Sequence, residues 1–191
     1  MSERLRGVAW TKDDPPGMEL AEVRLTDSLL AASGVAIGSD PAPYRLDYSL
    51  VAEKNFVTTG LWVETRGGSL HNTLDLWRSD GGDWNVNGDD VPELHGALDC
   101  DLGLSPLTNS MPVLRHRLLE ASEPVELLMA WVSVPDLTVH RSRQRYTGLG
   151  DGLVRFESLD GSFTAEIAFD KDGLVLDYPG IARRLSAPTG G

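Results

Sequence analysis

The residues best suited to chemistry lie in His95-Gly-Ala-Leu-Asp99-Cys100-Asp101, which holds an imidazole, a thiol and two carboxylates. Together they offer mixed N, O and S donors to a metal, although the spacing matches no standard zinc pattern. On a strand Asp99 and Asp101 share one face, as a paired-carboxylate acid/base site requires. The plainer reading is that the aspartates hold backbone N–H groups in the turn before Pro106. Cys100 sits between two negative charges, which raise a thiol pKa rather than prepare a nucleophile, so a buried, inert thiol is expected.

A second group is basic. Arg141, Arg143 and Arg145 alternate with His140, Ser142, Gln144 and Tyr146, and Arg115 and Arg117 form a similar pair. In a chain with a formal net charge of −12, such a row stands out. Guanidinium forks suit an anionic or polyhydroxyl head group. They equally suit a solvent face paired with nearby Asp and Glu. The aromatics include Trp10, Trp62, Trp77, Trp84 and Trp131. Near strand ends, such rings flank a pocket and stack on a sugar face; in the interior they simply fill a core. No G-x-S-x-G elbow, Walker loop or G-x-G-x-x-G occurs, so neither a serine hydrolase nor a nucleotide enzyme is indicated, and no cofactor is expected.

The elements that must position these groups read as strands. The chain has 191 residues, 41% hydrophobic and 24% charged, an ordinary globular balance. Gly and Pro punctuation cuts it into segments of strand length. In Tyr44–Ala52, Tyr44, Leu46, Tyr48 and Leu50 alternate with polar residues. Phe56–Thr65 places Val57, Leu61 and Val63 on one face and Trp62 on the other. Further strands are expected at Leu5–Lys12, Met18–Leu25, Leu70–Arg78, Asp83–Val86, Val125–Val134, Leu137–Thr147, Leu153–Ser158, Phe163–Asp170 and Leu174–Tyr178. Asp172-Gly173 marks a hairpin turn with positive φ at both central residues. Helix is expected only at Ser28–Ala32 and at Asp89–Leu94, the latter capped by Asp90; Met111–Ala121 reads as strand. One echo appears: Gly60-Leu61, Gly68-Ser69-Leu70, Leu74, Leu76, Arg78 and Asp80-Gly81 are matched by Gly152-Leu153, Gly161-Ser162-Phe163, Ile167, Phe169, Lys171 and Asp172-Gly173. It is either a duplicated hairpin or a chance likeness of two hairpins.

The expectation is therefore a mainly β protein: one antiparallel roll or half-barrel over residues 1–185, with one or two short helices and a frayed tail at 186–191. The negative charge disfavours nucleic acid and anionic membranes. A single cysteine, no visible signal segment and no apolar run of spanning length fit a cytoplasmic protein without a membrane span, as monomer or homodimer.

Several stretches resemble a known family. They are Asp99-Cys-Asp101-Leu-Gly-Leu-Ser-Pro106-Leu-Thr108-Asn109-Ser-Met-Pro112-Val-Leu-Arg115, Gln144-Arg145-Tyr146-Thr147, Asp170-Lys-Asp172-Gly173-Leu-Val175, Tyr178-Pro179-Gly180, Arg183-Arg184 and Tyr44-Arg45-Leu-Asp-Tyr48. In chain order, beginning with Tyr44, they are similar to the motifs of a bacterial glycolipid-binding family. The resemblance implies a spiral antiparallel β-roll with an apolar cavity, and it transfers no catalytic residue. It implies non-enzymatic binding of an amphipathic lipid or glycolipid, the acyl part inside the roll. Arg115, Arg143, Arg145 and Tyr146 are then candidates for the polar rim, and Trp62 and Trp131 for the flanking aromatics. Two alternatives stand beside it: a metal- or carboxylate-dependent enzyme centred on His95, Asp99 and Asp101, and an interaction module pairing through a sheet edge.

Overall fold

Alternating apolar and polar side chains leave most segments of this chain with one face to bury, and the strands meet that need by curling a single sheet around it. The computed structural model describes residues 3–185; the expected tail, 186–191, lies outside the described residues. The strands are β1 (Arg4–Asp13), β2 (Pro16–Leu25), β3 (Leu30–Gly38), β4 (Tyr44–Glu53), β5 (Val57–Gly67), β6 (Leu70–Arg78), β7 (Trp84–Val86), β8 (Asp89–Asp90), β9 (Asp99–Leu102), β10 (Val125–Val132), β11 (Val139–Gly150), β12 (Leu153–Ser158), β13 (Thr164–Phe169), β14 (Val175–Tyr178) and β15 (Ala182–Arg184). They form one sheet in the order β8 down to β1, then β15 down to β9. Two meanders thus lie head to tail, joined where Trp10 of β1 pairs with Arg184 of β15. The echoing hairpins, β5–β6 and β12–β13, are the third and fourth strands from β8 and from β15 respectively.

Every pairing is antiparallel except β9 with β10. A parallel pair needs a crossover, and residues 103–124 supply it with a 3-10 turn at Leu107–Asn109 and the helix α1 (Ser110–Arg115). Here the expected strand over Met111–Ala121 gives way. Pro112 lies in the first turn of α1, where its missing N–H costs nothing, whereas in a central strand it would break the ladder. The sheet rolls until its β9 end lies against β5: Thr58 N–H donates to Leu98 O at 3.0 Å, and Cys100 N–H donates to Thr58 Oγ1 at 3.0 Å.

Other differences are local. Ser28–Ala32 is a turn into β3 rather than helix, because Thr26 Oγ1 accepts the N–H groups of Ser28 and Leu29. Asp89–Asp90 pairs with β7, and only Pro92–Leu94 is helical, with Val91 instead of Asp90 at its N-cap. In β5 a bulge opposite Val51/Ala52 turns Thr58 inward and leaves Val57 half-buried. At the β13–β14 turn only Gly173 has positive φ, 74°. Asp170 Oδ1 builds that turn by accepting from Asp172 N–H at 2.9 Å and Leu174 N–H at 3.0 Å. The Asp172 carboxylate is thereby turned toward Arg4 and Arg6.

Apolar side chains fill much of the concave side. One apolar cluster runs through Trp10, Leu25, Leu30, Leu50, Leu61 and Trp84; a second gathers Tyr146, Phe156, Ile167 and Tyr178; Ile181 packs against both. Gly148 of β11 marks where the crossover presses on the sheet, since a Cβ there would collide with the backbone carbonyls of Leu118 and Ala121. Backbone cannot yield as a side-chain tip can, so Gly148→Ala is expected to destabilise the fold by about 2–3 kcal/mol. Urea unfolding of the two proteins measures this.

Candidate functional site

The crossover reaches the sheet carrying polar groups that must be satisfied without water. Arg115, the last residue of α1, points its guanidinium fork at both carboxylate oxygens of Asp99 on β9 and donates to Phe56 O at 3.3 Å. Both side chains are buried, at 5% and 0% exposure. A pair of this kind adds little net stability over an apolar one, but losing one partner strands a charge in the interior.

Asp101, two residues on, anchors a second network. Its Oδ1 accepts from Thr108 Oγ1 at 3.0 Å and its Oδ2 from Gln144 Nε2 at 2.7 Å. The Tyr146 hydroxyl shares its proton between Asn109 Oδ1, 2.9 Å away, and Gln144 Oε1, 3.0 Å away. Burial pushes the Asp101 carboxyl above its ordinary 3.8 despite the donors from Gln144 and Thr108. It also pushes the Tyr146 phenol well above its usual value. On the opposite side of β9, Cys100 is buried against Thr58, and desolvation drives its thiol up to about 12, so it is protonated and inert at neutral pH.

Above this network a cleft of about 680 Å³ opens between the turn at 103–105 and the strands β10–β13. The half-buried Asp101 and the buried Asn109 and Gln144 line its base. An aromatic triangle forms one side: Phe156, Phe163 and Tyr178 have ring centroids 5.9–6.1 Å apart, and Phe163 is 40% exposed. Trp131 and His140, with centroids 5.6 Å apart, contribute another, and Arg141 and Asp160 stand among the exposed lining residues. The space is an open cleft; the interior of the roll itself is packed.

The expected site residues fall in different places. Trp131 lines the cleft. Tyr146 is fully buried and bonded to two of the lining residues, Asn109 and Gln144. Arg115 is committed to Asp99 and does not reach a rim. Arg143 and Arg145 lie on the other face of β11, where Glu126 meets them at 3.4 and 2.6 Å and Glu157 meets Arg145 at 3.6 Å. Trp62 stands on the outer face of β5. His95 is exposed beside Asp83 at 3.6 Å, while Asp99 and Asp101 are engaged by Arg115, Gln144 and Thr108, so this trio is not assembled. No group of three or more His, Cys, Asp and Glu side chains able to hold a metal occurs among the described residues. The strand pattern carried one further signal: His140, Ser142 and Gln144, which alternate with the arginine row of β11, line the cleft, joined by Arg141 at its exposed end. Phe163 and Tyr178 carried none, because loops and distant strands bring them there.

Residues 7–184 match a family described as "Putative glycolipid-binding". The chain belongs to this glycolipid-binding family. It is also similar to a crystal structure of a DUF1089 family protein from Pseudomonas aeruginosa, with a TM-score of 0.76 and 29% identity over 87% of this chain and 92% of that one. No curated protein matches the chain. The stretches that carried the resemblance meet one another in space. Asp99 meets Arg115, Asp101 meets Gln144, and Asn109 meets Tyr146. Asp170 meets Arg184 at 2.5 Å, and Tyr48 donates to the buried Glu19 at 2.9 Å.

Two measurements follow. Arg115→Met is expected to cost about 3–5 kcal/mol in urea unfolding, and adding Asp99→Asn to it to recover much of that loss. For Asp101, a folded-state pKa above the unfolded one means the folded chain holds that proton to higher pH. Its contribution to stability is complete below the ordinary carboxylate range and is lost as pH rises through the raised value. Asp101→Asn is therefore expected to gain in melting temperature over the native chain as pH rises from below to above the ordinary carboxylate range. A constant difference across that range contradicts the burial account.

Proposed function

We propose that this glycolipid-binding family member holds one amphipathic glycolipid, without chemical conversion, in the cleft beside Trp131 and the Phe156–Phe163–Tyr178 triangle. The observation that carries the reading is the joining of an aromatic wall to a polar base within 680 Å³. Small-molecule sites typically occupy about 300–1,000 Å³ with this mixture of linings. Aromatic faces accept acyl methylenes or the C–H face of a sugar, while Ser142, Ser158 and the Arg141 guanidinium offer donors to hydroxyls. Arg141, rather than Arg143 or Arg145, is the arginine of the row nearest this space, and Tyr146 serves the site by fixing the Gln144 amide.

Burying a methylene contributes roughly 0.8 kcal/mol, so about ten of them contribute roughly 8 kcal/mol, which is of the order of the association cost they must offset. Catalysis is a poorer reading, because the two carboxylates nearest the base are already bonded by Arg115, Gln144 and Thr108. No helix among the described residues is long and apolar enough to cross a membrane.

Native mass spectrometry of freshly purified protein, and thermal shift with dodecyl glucoside, test the proposal. A bound lipid or a raised melting temperature is expected, weakened roughly tenfold in affinity by Trp131→Ala or Phe163→Ala. Repeated absence of both signals overturns it.

A further inference from the structure

The β5–β6 hairpin carries two tryptophans that the cleft and the core leave unused. The pleat turns Leu61, Val63, Leu74 and Leu76 inward and leaves Gly60, Trp62, Asp75 and Trp77 on the outer face. Trp62 is 42% and Trp77 43% exposed, although neighbouring positions of the hairpin bury Leu and Val almost completely. In register, Gly60 faces Trp77 and Trp62 faces Asp75, so the four residues form a square with an indole at each end of one diagonal. Among the described residues neither indole stacks on another ring or lies under an arginine. At Gly60 an added Cβ would meet nothing nearer than Leu76 O at 3.9 Å, so the surface beside Trp77 is open.

The surroundings narrow what such a surface takes. Ser49 follows Trp62 across one register row and Thr73 follows Asp75 along β6. Asn87 lies beyond Asp75, accepting its N–H on Oδ1 at 2.8 Å. The Asp75 carboxylate has no ion-pair partner among the described residues. An apolar protein partner or a bilayer laid on the two indoles would strip water from that carboxylate with nothing to replace it. A phosphate or nucleic acid is repelled by it and by a net charge of −12. A neutral sugar meets both demands, since its C–H face stacks on indole and its hydroxyls donate to carboxylate and amide oxygens.

We infer that the outer face of the β5–β6 hairpin is a second binding surface, taking neutral oligosaccharides whose pyranose rings stack on Trp62 and Trp77 and whose hydroxyls are read by Asp75. Diagonal neighbours on adjacent strands stand about 7–8 Å apart, so the surface is matched to two or more linked sugars rather than one ring. Gly60 leaves the relief between the indoles that the linkage crosses. The surface is independent of the lipid cleft.

Saturation-transfer NMR with cellotetraose, maltotetraose and chitotetraose tests it. Transfer to at least one oligomer is expected, with quenching of tryptophan fluorescence on titration. Trp62→Ala and Trp77→Ala should each weaken affinity at least tenfold, the Phe replacements less, and Asp75→Asn several-fold. Because both side chains are on the surface, melting temperatures should stay close to the native one, and lipid retention in the cleft should persist. Transfer from none of the three oligomers overturns the inference, and so does transfer that survives the Trp62→Ala/Trp77→Ala double variant. Self-association or binding to phosphatidylcholine vesicles that the double variant abolishes, in place of saccharide transfer, overturns it in favour of a docking face.

Discussion

Three carboxylates of the interior hold one crossover, and the shape of the roll follows from how they hold it. The segment from Gly103 to Arg115 leaves β9, turns beneath the cleft and returns against the sheet. Asp99 grips it at Arg115, Asp101 at Thr108, and Glu19 at Ser105 by a 2.7 Å hydrogen bond. Glu19 also receives Tyr48 and pairs with the buried Lys12 side chain at 2.9 Å. A carboxylate removed from water cannot remain unpaired, so each grip has essentially one acceptable geometry. The Asp99–Arg115 ion pair and the two hydroxyl hydrogen bonds specify position more than they add stability. They fasten the crossover that joins the one parallel strand pair of the sheet.

This arrangement explains why the cleft sits where it does. A meander of antiparallel strands alone would bury its apolar face and stop. The crossover instead occupies part of the concave side, fills it with Met111, Val113 and Leu118, and leaves a gap beside β10–β13 that no side chain fills. The polar residues holding the crossover become the base of that gap. Asp101, Asn109 and Gln144 therefore have two tasks, fixing the fold and presenting a polar floor.

The polar residues divide between two settings. Those on the outer face, such as Arg143 with Glu126, are solvent-exposed pairs of small energetic weight. Those on the inner side are few, nearly water-free and mutually bonded. A substitution on the outside leaves the fold largely unchanged, which is why an exposed tryptophan pair on β5–β6 is more informative than an exposed arginine row on β11.

Period-two alternation sufficed to locate most strands, because each of Tyr44–Glu53, Leu70–Arg78 and Leu153–Ser158 has one face that must be dry. The resemblance of several stretches also pointed to the family and to the roll. The sequence alone did not determine how β9 runs. Asp99-Cys-Asp reads as a loop or a strand, and only the crossover, with Pro112 in a helical first turn, makes it a parallel edge. Nor did it show that Arg115 is spent on Asp99, since an arginine's partner is chosen by which carboxylate the fold leaves dry beside it. Local alternation is written into neighbouring residues, and so the strands could be read from them. The cleft gathers Asp101, Trp131, Gln144, Phe163 and Tyr178 from five separate segments, and only the curl of the whole sheet decides that they meet.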